Sequence, residues 1–167
     1  GANSSVPPIF WQFDPDAGSD LGYDPEAAKA LLAEAGWQDR DGDGVVENAE
    51  GRPFRFTILT RQGDQTRMDI RDKVQLDLGR VGIVAEPRVV EWGVLLDQIN
   101  DTERRDFDAV LVGWVTEFRI DDTDLFHCEK RDEPFQWVGY CDPEVDRMLE
   151  TLPTIMDRDG SRPPRSV

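Results

Sequence analysis

The chain is poor in the residues that most catalytic chemistry needs. Among 167 residues it has one histidine, His127, and two cysteines, Cys128 and Cys141. No GxSxG, HExxH, P-loop or GxGxxG run occurs, so the common hydrolase, zinc-protease and nucleotide-binding motifs are excluded. His127 and Cys128 are adjacent, a poor arrangement for a base and a nucleophile because backbone neighbours seldom face each other. No enzymatic activity is expected. The cysteines lack CxxC spacing and have no further histidine to complete a zinc site, which leaves a disulfide or two buried thiols. A staple is the better reading: closing a loop of that length stabilises a fold by about 3 kcal/mol in the chain-entropy model, and it implies an oxidising compartment. Basic charge is also scarce. Lys and Arg number 19 against 35 Asp and Glu, a formal net charge of -16, which argues against nucleic acid or an anionic membrane surface as partner. No apolar run approaches the roughly 20 residues of a membrane span, and no charged-then-apolar leader opens the chain; an exported protein would have lost that segment already. The length suits one domain with a core of its own.

Acid is abundant, and in one place it is ordered. Residues 39–50, DRDGDGVVENAE, carry Asp39, Asp41, Asp43, Glu47 and Glu50 at the first, third, fifth, ninth and twelfth positions, with Gly44 at the sixth. This is the calcium-loop pattern. Calcium takes six to eight hard oxygens, and a tight loop converges on one ion when alternate residues point inward and a glycine permits the sharp turn. Val45, at the seventh position, would add its backbone carbonyl. A structural Ca2+ held by Asp39, Asp41, Asp43, Val45, Glu47 and Glu50 is expected, against the alternative of a solvated acidic turn.

Periodicity gives the fold class. Residues 1–22, with Pro7, Pro8 and Pro15, read as an extended connector. Asp24-Pro25-Glu26 supplies a cap, a proline at the first helical position and a first-turn acid for a helix closed by Gly36. After the acidic loop, where an EF-hand would have a second helix, residues 54–60 alternate as a strand. A helix over 64–80, a strand over 83–90, a helix over 91–99 and a nearly continuous apolar strand over 107–114 follow. Alternating strands and helices with apolar strands predict an α/β fold: a three-layer, open, mainly parallel sheet with flanking helices. A last helix begins at Asp142-Pro143-Glu144, and the Pro- and Arg-rich end has no core to join.

In such sheets ligands bind beyond the carboxyl ends of the strands. Here those ends are residues 60–62, 90–92 and 113–117. They gather Arg61, Trp92, Trp114 and Glu117 on one edge, a surface suited to a partly apolar, charged solute such as a peptide or amino-acid derivative. The acidic loop precedes the first strand, so it is expected at the opposite end.

The runs YDPEAAKALLAEAGW, DRDGDGVVE, GRPFRFTILT, VVEW, FDAVLVGW, DLFHC and GYCDPEVDRMLE together resemble the extracellular solute-binding proteins of family 5, the dipeptide- and oligopeptide-binding components of ABC importers. The likeness spans residues 23–152. It implies the C-terminal lobe of a periplasmic-binding-protein-like fold, with 1–22 as connector, 153–167 as an irregular tail and an amino-terminal lobe missing. It implies that Trp114 lines the ligand pocket and that Glu117, three residues on, meets the ligand's amino terminus. Glu117 stands where Asp is usual, and Arg119-Ile120 where many relatives have Asp-Pro. Cys128 and Cys141 fall where some relatives carry a disulfide. The resemblance further implies a monomer in the periplasm or outside the cell, lipid-anchored in the longer protein, that delivers peptides to ABC permease subunits. A nickel, sugar or opine ligand, or a calcium-dependent structural module, is the alternative. One lobe alone is expected to fold and to show weak or no measurable peptide affinity.

Overall fold

The computed structural model describes residues 8, 13–18, 22–113 and 121–155. Helix α1 (Pro25–Glu34) starts as its sequence requires: the Asp24 carboxylate accepts from the backbone N–H of Glu26 and Ala27 at 3.1 and 2.9 Å, satisfying donors that the first helical turn leaves free. Gly36, at φ +88°, ends it. Strand β1 (Arg55–Arg61) leads to helix α2 (Gln65–Gly79), capped by Asp64. Strand β2 (Val84–Val90), helix α3 (Trp92–Asn100) and strand β3 (Ala109–Leu111) follow. The sheet order is β2-β1-β3 and both pairings are parallel, in register Arg55↔Val84 through Arg61↔Val90 and Ile58↔Ala109 through Thr60↔Leu111. The expected α/β class is therefore observed.

The third strand is much shorter than the apolar run 107–114 predicts. Asp108 explains its start: its carboxylate accepts from Thr57 N and Thr57 Oγ1 at 2.8 and 2.9 Å, so at that level β1 bonds a side chain in place of a strand backbone. The core beneath the sheet is small. Ile58, Leu59, Ala85, Leu95 and Ile99 are buried together with Val81 and Ile83, and each large one contributes roughly 1.5–3 kcal/mol on burial. Helix α2 buries no residue fully, and Ile70, Val74 and Leu76 stay exposed. Between it and the first turn of α1 lies a groove of about 330 Å³ lined by Tyr23, Pro25, Ala28, Val74 and Leu78 among others.

The span expected as one lobe divides into two compact units, one of residues 22–99 with 106–113, the other holding 100–105 and 121–155. In the latter, helix α4 (Thr123–Phe126), a single 3-10 turn and helix α5 (Pro143–Ile155) surround the cysteines. The last helix runs three residues into the segment predicted to be irregular.

Candidate functional site at the carboxyl edge of the sheet

At the amino end of the sheet the acidic loop folds back on its own backbone. Asp39 accepts from the N–H of Gly42 and Gly44 at 2.7 and 3.0 Å, Asp41 from Asp43 at 3.0 Å, and Asp43 from Val45 at 2.7 Å. Gly42 and Gly44 take φ of +85° and +90°, conformations that only glycine adopts without strain. Carboxylate oxygens of Asp39, Asp41, Asp43 and Glu47 lie within 4.8 Å of one another. Glu47 is 7% exposed and accepts from Arg40 N at 2.9 Å. This donor set fits a hard divalent cation. Glu50, expected as the twelfth-position ligand, lies outside the group: its carboxylate pairs with Arg52 at 3.6 Å. The cause is the antiparallel bridges Gln38↔Glu47 and Glu47↔Pro53, which turn the chain toward β1 before an EF-hand would enter its second helix. Val45 is half-buried, its N–H used by Asp43. The loop is also stitched to the sheet, Val46 N donating to Gly82 O at 2.9 Å and Phe54 N to Val46 O at 2.8 Å.

At the other end, about 20 Å along the strands, side chains take over from backbone. Arg61 closes β1 and Trp92 opens α3. The Arg61 guanidinium lies 5.3 Å over the Trp92 ring, a cation–π contact, and Trp92 remains 42% exposed. The sheet thus brings together two of the four predicted ligand residues. Trp114 and Glu117 lie outside the described residues. Gln62 N donates to Val90 O at 2.7 Å, continuing the ladder, and Glu91 accepts from Gly93 N at 2.6 Å.

Sequence reasoning passed over a charged pair on this edge. Asp64 accepts from Arg67 N at 3.1 Å with one oxygen and from the Arg67 guanidinium with the other. The backbone N–H of Arg67 and then its side chain hold the Asp64 carboxyl below its ordinary value against the opposing pull of burial, and the charge of Arg61 adds to this. The signal available was an N-cap Asp with Arg three residues on, which is also the mark of any well-capped helix. The groove beside α1 shares no lining residue with this edge; there the Tyr23 hydroxyl accepts from Arg80 at 2.7 Å and donates to Asp77 at 3.2 Å.

In the second unit Cys128 and Cys141 form the staple, with Cα atoms 4.5 Å apart. His127 is buried, its Nδ1 accepting from Glu129 N at 3.2 Å and its Nε2 lying 3.5 Å from Glu150. Cys128 N donates to Asp146 at 3.0 Å. His127 thus serves local structure beside an oxidised cysteine.

These features have relatives. The model of the bacterial extracellular solute-binding proteins, family 5 middle region, matches residues 1–130. The oligopeptide-binding protein AppA of Bacillus subtilis is 36% identical over 152 residues, which is 90% of this chain and 28% of AppA. The dipeptide-binding protein of Escherichia coli is 27% identical over 143 residues, 84% of this chain and 24% of its own length. The structure of AppA in complex with a nonapeptide superposes with a TM-score of 0.81 at 34% identity, covering 93% of this chain and 31% of that one. A mannohexaose-bound oligopeptide-binding protein of Thermotoga maritima gives 0.79 at 27% identity, covering 95% and 32%. The chain therefore spans under a third of the length of these relatives. Matched over most of its residues by the family model, it belongs to the bacterial extracellular solute-binding proteins of family 5.

Proposed function

We propose that this chain supplies one wall of a peptide-binding cleft in the solute-binding component of an ABC importer. The observation that carries the reading is Arg61 stacked on the half-open face of Trp92 at the carboxyl edge of a parallel sheet, where open α/β folds bind ligands. The nonapeptide held by AppA supports a peptide as the solute. The function is capture without chemistry. Trp92 and, by the family resemblance, Trp114 offer apolar faces to side chains, Glu117 meets an amino terminus, and a second wall closes by a hinge before the loaded monomer docks on its permease. The setting is extracytoplasmic, where the Cys128–Cys141 bond persists, with a lipid anchor in the longer protein. We also propose that Asp39, Asp41, Asp43 and Glu47 hold a structural calcium ion, which the convergence of their oxygens supports.

Resonance-by-resonance titration tests the peptide reading even at weak affinity. An unmodified nonapeptide should shift the backbone amides of residues 61–62, 90–93 and 112–113 and leave 39–50 in place. Trp92→Ala should weaken that binding about tenfold, or ~1.4 kcal/mol. Silence at the carboxyl edge with millimolar peptide, or a response there to mannohexaose alone, overturns it.

A further inference from the structure

Gly113 stands two residues beyond β3, at the carboxyl edge and immediately before Trp114. Its φ is outside the left-handed range, so backbone conformation does not demand glycine there. Space does. A Cβ built on Gly113 would fall on Nη2 of Arg67, with Cζ at 3.4 Å and Nε at 3.9 Å, so the guanidinium occupies the position a side chain would take. Swinging Arg67 aside would give up its bond to Asp64. Asp64 accepts from both its backbone N–H and its Nη1, fixing the start and the tip of the residue with one carboxylate. Its side chain is 31% exposed and that of Asp64 is 20% exposed, so the pair is partly withdrawn from water, where a charge-assisted bond is worth more than at the open surface.

We propose that Arg67, braced by Asp64, is a positioning residue that holds the backbone at Gly113 and so fixes the shape of the ligand edge where β3 hands over to Trp114. The ligand part of this rests on the peptide reading above; the brace itself does not. Only a flat, forked cation fits the role. The guanidinium meets the glycine end-on through Nη2, with Cζ and Nε behind it, while Nη1, the other prong, is bonded to Asp64; an ammonium has a single nitrogen and cannot serve both partners through a fork.

A double-mutant cycle between Gly113→Ala and Arg67→Ala tests it, because residues in direct contact couple while independent ones add. In the wild-type background Gly113→Ala should lower Tm by several degrees and weaken nonapeptide binding about tenfold, which is ~1.4 kcal/mol. In the Arg67→Ala background the same substitution should move Tm by about one degree or less and binding by less than about twofold, since the space is vacant. Arg67→Lys should fail to restore the amide positions of residues 112 and 113, while amide exchange at Leu59, deep in β1, stays as in the wild type. Additive effects on Tm overturn the brace. Coupling in Tm with peptide affinity unchanged in every variant overturns the positioning role. Absence of peptide response in the wild type counts against the peptide reading alone, and the Tm cycle then still decides the brace.

Discussion

The two ends of one sheet are built from different materials. At the amino end the acidic loop is closed by backbone: its aspartates accept from neighbouring N–H groups, and Val46 is bonded to both Gly82 and Phe54. At the carboxyl end the last backbone bond of the ladder, Gln62 N to Val90 O, gives way to contacts between side chains, Arg61 on Trp92 and Arg67 on Asp64, and the aromatic face is left partly open. The difference follows from parallel topology. The three strands among the described residues point the same way, so their carboxyl ends gather the loops that carry specificity, while the other end can be locked without cost to ligand access. A locked end should answer to stability and an open end to ligand.

The sharpest way to break that division is Gly82→Ala. Gly82 has φ +83°, and a Cβ there would stand 2.8 Å from Val46 Cγ1, 3.2 Å from Val46 N and 3.3 Å from Gly44 O. Two of these neighbours are backbone, so relief requires moving the loop. The left-handed conformation alone costs about 1–2 kcal/mol for a residue with a side chain, and the clash adds to it, for a loss of about 2–4 kcal/mol in denaturant unfolding. The peptide-induced shifts at 61–62 and 90–93 should survive in whatever fraction remains folded. If stability holds and the peptide response disappears, the two ends are not separate in function.

Much of this was legible beforehand because it is local. The Asp24 cap, the proline opening α1 and the glycine closing it each follow from a few adjacent residues, and β1 and β2 lie within a residue of the runs their alternation predicts. What escaped is non-local. The length of β3 depends on Asp108 reaching Thr57, 51 positions away. Glu50 fits the calcium pattern by count but not by geometry, since the chain turns at Glu47 to join β1. Nothing near Gly113 in sequence hints at Arg67, because the two meet only after β1, α2 and β3 are in place. The cysteine pair was favoured over free thiols from its region, and the fold bears it out.

Calcium should produce the next largest effect, and at the amino end only. A bound ion would take the formal charge from -16 to -14, carrying two positive charges. It would also relieve repulsion among Asp39, Asp41, Asp43 and Glu47, whose oxygens converge within 4.8 Å. At a hundredfold excess over its dissociation constant an ion that binds only the folded state adds about 2.7 kcal/mol, read as a rise in Tm of several degrees that chelator reverses. Glu47→Gln keeps an acceptor for Arg40 N yet removes a ligand charge, so it should abolish the rise. Glu50→Gln should leave it intact. A Tm indifferent to millimolar calcium, or a loss of response in the Glu50 variant alone, returns the loop to an acidic turn or restores the twelfth-position ligand.

The smallest effect belongs to the carboxyl end and is a matter of sign. The Asp64 carboxyl is held below its ordinary 3.8 by the Arg67 backbone N–H, with the Arg67 side chain and the Arg61 charge adding to it. A group whose folded pKa is depressed contributes stability that is present above its unfolded value and lost as pH falls through the folded one. Asp64→Asn retains an N-cap acceptor but not the charge. The stability gap between wild type and variant should therefore be level from neutral pH down to about 4 and shrink below it. Asp77, also held low, chiefly by its bond from Lys73, titrates equally in both proteins and cancels. Because the acidic loop is at the far end of the strands, the curve should be the same with and without calcium. A gap that widens on acidification would mean the Arg67 pair does not favour the ionised form, and a gap that changes with calcium would mean the two ends of the sheet are coupled.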